Sequence, residues 1–106
     1  PPLGRVGLTE QAARDKNLDI KVAVLPAAAI PRARLMGETT GMLKAVVDAK
    51  TGTILGCALH CADAGEMINV VETAIRAGKD YTFLRDMIYT HPSMTEALND
   101  LLSKIK

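Results

Sequence analysis

Tryptophan is absent from this 106-residue chain, and Tyr81, Phe83 and Tyr89 are its only aromatic residues. Platforms on which nucleic-acid bases stack are therefore scarce. Ala, Val, Leu, Ile and Met must fill the core instead. An excess of charge is missing too: 13 Lys and Arg face 12 Asp and Glu, a formal net charge of +1. So even a balance leaves no electrostatic footprint for nucleic acid or an anionic membrane surface. No apolar run approaches the roughly 20 residues that span a bilayer. The opening PPLGRVGLTEQAARDKN has the pattern of neither a signal peptide nor a transit peptide. Neither G-x-G-x-x-G nor G-x-x-x-x-G-K-[ST] occurs, so the standard phosphate-binding loops are lacking.

Cysteine is limited to Cys57 and Cys61, too few for a disulfide scaffold. Four residues along a strand separate Cα atoms by about 13 Å, whereas a disulfide needs less than about 7 Å. Reduced structural thiols in a cytoplasmic protein are the expectation. A metal site built from Cys57, Cys61 and His60 is the alternative, but His60 would face the other side of that strand and no second ligand cluster exists.

What is present suits a packed domain: 48% of residues are hydrophobic and 24% charged. Thr9 can cap a short helix over Glu10–Lys16, stopped at Asn17. Ile20–Leu25 is β-branched and apolar, and Pro26 ends it. Pro31 then forbids a continuous helix, which predicts an irregular connection bearing Arg32 and Arg34. Met42–Asp48 alternates Leu43, Ala45 and Val47 on one face. After the turn Ala49-Lys50-Thr51-Gly52, Thr53–His60 returns, so the pair reads as an antiparallel hairpin.

Asp63 and Glu66 are spaced as a capping box at the start of a helix. Met67, Ile68, Val71, Ala74 and Ile75 follow at helical spacing, and Gly78 supplies the stop. A helical turn is expected over Thr82–Met87. Ser93 and Glu96 form a second capping-box pattern, ahead of an apolar stripe of Leu98, Leu101, Leu102 and Ile105. Strands first and helices later, with hairpin links, argue for an α+β fold: a two-layer arrangement of an antiparallel β-sheet with helices packed on one face.

His91 is the residue best placed for chemistry. The following Pro92 biases it to extended backbone, just ahead of a capped helix. Glu96, one turn into that helix, could accept a hydrogen bond from one ring nitrogen and leave the other as acid or base. The plainer alternative has Glu96 completing the Ser93 capping box beside a solvated His91. No Ser or Cys nucleophile is suggested within the chain.

The string from Thr90 to Leu102, THPSMTEALNDLL, resembles the C-terminal H-P-[ST]-x-x-E signature of the FAD-dependent pyridine nucleotide–disulfide oxidoreductases. That family includes dihydrolipoamide dehydrogenase, glutathione reductase and mercuric-reductase-like proteins. Three further segments are similar to it in the same order. Pro2–Glu10 matches P-x-x-x-V-G-x-[ST]-E, Gly41–Gly56 matches G-x-x-K-x-x-x-[DN]-x-x-T-G-x-I-L-G, and Ala64–Ile68 matches A-x-E-x-I.

The resemblance implies that residues 1–106 are a single dimerisation domain, the C-terminal fragment of a longer flavoprotein that works as a homodimer. FAD and NAD(P)H would serve the full-length enzyme and be held outside this fragment, along with its redox cysteine pair. Cys57 and Cys61 do not correspond to that pair. By the same resemblance, His91 and Glu96 form an acid–base pair that reaches the partner subunit's flavin and disulfide. The backbone of His91-Pro92 would approach the partner's FAD. A freestanding α+β oligomerisation or partner-binding module without redox activity is the competing reading.

Overall fold

The computed structural model describes residues 1–106. In chain order the elements are β1 (Leu3–Gly7), α1 (Glu10–Asp15), β2 (Ile20–Pro26), α2 (Pro31–Met36), β3 (Met42–Asp48) and β4 (Ile54–His60). The helices α3 (Ala64–Arg76), α4 (Tyr81–Arg85) and α5 (Ala97–Leu102) follow. The strands form one antiparallel sheet in the order β1-β4-β3-β2. This is the α+β fold expected from the order of elements.

The hairpin of β3 and β4 is the centre of the sheet. Leu43 sits opposite Leu59 and Ala45 opposite Cys57. Strand alternation puts all four on the face toward α3 and α5, where they join the buried core. Lys44, Val46 and Ala58 point to the other face. There α1 lies across the sheet, and Glu10 pairs with Lys44 at 2.6 Å. Val46 and the α1 residue Ala13 are buried on that side.

Two glycines of the sequence pattern over Gly41–Gly56 are explained by close backbone approach. A Cβ on Gly56 would lie 1.8 Å from the Leu8 carbonyl oxygen, where the chain leaves β1. A Cβ on Gly41 would lie 1.8 Å from the His60 carbonyl oxygen, and Gly41 has a φ of 126°.

Three local expectations give way. Proline does not leave the segment after β2 irregular. A 3-10 turn covers Ala27–Ala29 and Pro31 opens α2 at its first position, where a missing N–H costs nothing. Asp63 is not a side-chain cap: its backbone is left-handed (φ 61°) and its side chain makes no capping bond. Its carbonyl instead accepts from the Glu66 and Met67 amides at 3.0 and 2.9 Å. Residues Leu3–Gly7, expected only as part of a motif, form an edge strand paired with β4 from Leu3–His60 to Gly7–Gly56.

The apolar stripes of α3 and α5 both point inward. Met67, Val71, Leu98, Leu101 and Leu102 are buried in one core with Leu43 and Leu59. No polar or charged side chain is buried. The domain's carboxylates, amines, guanidinium groups and imidazoles therefore lie outside the core, and no helix is long and apolar enough to cross a membrane.

Candidate functional site

Between α4 and α5 the chain runs without regular structure, and His91 lies in this segment, joined to Pro92 by a cis peptide bond. The segment is held by side chains. Ser93 Oγ donates to the Thr90 carbonyl at 2.5 Å, and Tyr89 Oη donates to the Leu84 carbonyl at 2.8 Å. Burial pushes the Tyr89 phenol up to about 12, so it remains a donor.

His91 and Glu96 meet. The ring Nδ1 lies 2.8 and 2.9 Å from the two Glu96 carboxylate oxygens. The Ser93 amide donates to the same carboxylate at 2.8 Å, and the Glu96 amide donates back to Ser93 Oγ at 3.3 Å. The capping box and the His–Glu pair are therefore one structure, not alternatives. The His91 bond, followed by the Ser93 amide, holds the Glu96 carboxyl below the usual carboxylate range against the opposing effect of partial burial.

An ionised carboxylate only accepts, so Nδ1 carries the hydrogen and Nε2 is left without a partner in the domain. Glu96 is only 20% exposed while His91 is 68% exposed. The carboxylate is anchored and the imidazole is presented. Pro92, beside it, is also exposed. Such a ring can take or give a proton, but only to a group brought from outside the domain.

Exposed apolar side chains precede His91 in the chain. Ile88 is 96% exposed, Phe83 45% and Met87 37%. Phe83 and Met87 line a groove between α3 and α4, together with Val70, Ala74 and Leu84. Elsewhere, Arg5, Arg14 and Lys44 surround a cleft beside α1, but Glu10 pairs with both Arg14 and Lys44 at 2.6 Å.

The cysteines are free and buried. Burial pushes the Cys57 thiol up to about 12 and the Cys61 thiol up to about 11, the opposite of an activated thiolate. Cys61 Sγ lies 3.7 Å from Met67 Sδ in the core. His60 is exposed on the other side of β4, and no three potential ligand side chains gather around a metal position.

Sequence reasoning missed Asn99. Its side-chain amide donates to the Arg85 and Met87 carbonyls, both at 2.8 Å. Partners 14 and 12 residues back leave no local signal in a sequence.

Residues 1–102 match the family described as pyridine nucleotide-disulphide oxidoreductase, dimerisation domain. The chain is 58% identical over its whole length to a probable pyridine nucleotide-disulfide oxidoreductase, RclA, of Escherichia coli, covering 24% of that protein. It is 40% identical over 92% of its length to a mercuric reductase of Bacillus cereus, covering 16% of it. Among solved structures, the HOCl-induced flavoprotein disulfide reductase RclA from Escherichia coli superimposes with a TM-score of 0.97. That match has 57% identity and covers all of this chain and 24% of that one. The chain thus spans about a quarter or less of the length of these relatives.

Proposed function

The chain belongs to the dimerisation-domain family of the pyridine nucleotide-disulphide oxidoreductases, and on that premise we propose that it joins two subunits of a flavoprotein disulfide reductase and supplies each with an acid–base histidine. The observation that carries this reading is the anchored Glu96 beneath an exposed His91, with Nδ1 occupied at 2.8 Å and Nε2 unclaimed.

The domain would be the C-terminal part of a longer, cytoplasmic homodimer, a setting that suits two unpaired thiols. The surface of Phe83, Met87 and Ile88 would meet the second copy. Since Ile88 precedes His91 by three residues, the same contact would carry the imidazole toward the partner's site. The residues present suit a contact with a cofactor rather than its enclosure, because His91 and Pro92 are both exposed. FAD, when bound, relays two electrons from NAD(P)H to a disulfide.

His91 handles the protons of that reaction. As a disulfide opens, the two electrons delivered break the S–S bond and leave two thiolates, each of which takes a proton. Nε2–H of the imidazolium gives a proton to the departing thiolate, and neutral Nε2 takes one from a thiol that must attack as thiolate. Glu96 steadies the ring in both states by accepting from Nδ1.

Replacing His91 by Gln in the full-length enzyme tests the assignment. Turnover of a disulfide substrate should fall by about 10²-fold or more, the scale of lost general acid–base catalysis, with flavin content and dimer intact. Unchanged turnover would remove the acid–base role.

A further inference from the structure

The segment that carries His91 is irregular from the end of α4 to the start of α5. Backbone of that kind keeps one geometry only where its polar groups are tied down. Tyr89 and Ser93 supply short-range ties, to partners five and three residues away. Asn99 supplies the long-range one. Both hydrogens of its amide are in use, one on the Arg85 carbonyl and one on the Met87 carbonyl, each at 2.8 Å. Arg85 is the last residue of α4, so its carbonyl is one that the helix itself leaves unpaired.

Asn99 lies three residues after Glu96, and its own amide bonds the Glu96 carbonyl at 3.0 Å. One turn of backbone therefore holds the carboxylate that receives His91 and the amide that anchors the chain leading to it. Met87 is only four residues before His91. Position along α5 is in this way transferred to the imidazole through two routes that start from one place.

We propose that Asn99 is a positioning residue for His91: by pinning the Arg85 and Met87 carbonyls to α5, it sets where the imidazole stands relative to Glu96. This rests on the acid–base reading of His91. Aspartate at position 99 has nearly the same shape but cannot donate, so both hydrogen bonds become contacts between oxygens. Alanine removes the donors without adding charge.

The test uses the full-length holoenzyme dimer, NADH or NADPH as reductant and dithiobis(2-nitrobenzoate) as the probe disulfide. Asn99→Asp and Asn99→Ala are measured alone and combined with His91→Gln. Alone, each should lower kcat roughly tenfold, a part of the acid–base contribution, with KM within about twofold and flavin content unchanged. Combined with His91→Gln, neither should lower kcat further, because no acid–base group remains to be misplaced. An equal loss in both backgrounds, or no loss in the first, overturns the proposal. If Asn99→Asp fails to fold, Asn99→Ala carries the same cycle. Full turnover by His91→Gln alone is a separate outcome: it overturns the acid–base reading first, and this inference with it.

Discussion

Glu96 does two things at once, and a pair of substitutions separates them. Glutamine keeps a carbonyl oxygen that can accept from the Ser93 amide, so the helix start survives. It loses the charge that faces His91 Nδ1. Because His91 is 68% exposed, that bond is screened, and Glu96→Gln should cost at most about 1 kcal/mol. Alanine removes both acceptors and strands the part-buried Ser93 amide, adding about 1 kcal/mol. For a domain of this size each kcal/mol is about 4–8 °C in Tm, resolvable by thermal unfolding followed by circular dichroism.

Turnover in the full-length enzyme should follow a different ladder. Both variants lose the orienting charge, so both should be slowed to a similar extent, while Ala is destabilised further than Gln. Acid adds a check on sign. Glu96 has its carboxyl held below the ordinary 4.5, so its contribution is present above that pH and is lost as pH falls through the lowered value. The stability gap between the native chain and Glu96→Gln should therefore close on acidification below 4.5. Equal Tm for Gln and Ala, full turnover in Glu96→Gln, or a gap that widens in acid would each refute the double role.

Gly56→Ala should destabilise the chain by about 3 kcal/mol or more, the upper end of ordinary overpacking, since its Cβ would meet the Leu8 carbonyl at 1.8 Å. Urea unfolding measures this, and a near-neutral result would refute the backbone contact. Neither Cys57 nor Cys61 should be alkylated by iodoacetamide at pH 8 in the native state, and both should react in urea, as read by mass spectrometry. Rapid native labelling would contradict their burial and raised thiol pKa values. Ile88→Glu should leave the fold of the domain unchanged, since the side chain is 96% exposed, but weaken the full-length dimer in light scattering. An unaltered dimer would move the interface elsewhere.

Much of this domain is written in short-range pattern. Alternation and a Gly-containing turn mark the β3–β4 hairpin, helical spacing marks α3 and the buried leucines of α5, and spacing singles out His91 and Glu96 while leaving open whether they pair or Glu96 serves only the Ser93 capping box. Each depends on neighbours a few residues apart. What the pattern could not decide involves partners brought together by folding. Residues Leu3–Gly7 contain two glycines in five and have little strand preference of their own. They are a strand because β4 offers hydrogen bonds in register.

The capping-box spacing of Asp63 and Glu66 matched that of Ser93 and Glu96, yet only the second pair forms the box. Asp63 must take a left-handed bend to turn the chain from β4 into α3. Apolar stripes alone could not distinguish core from interface either. Packing against the sheet buried both α3 and α5 and left Phe83, Met87 and Ile88 outside. Asn99 is the clearest case: an ordinary helix residue by sequence, it becomes a tie between α5 and the His91 segment only because α4 docks beside it, placing two carbonyls within 2.8 Å of one amide.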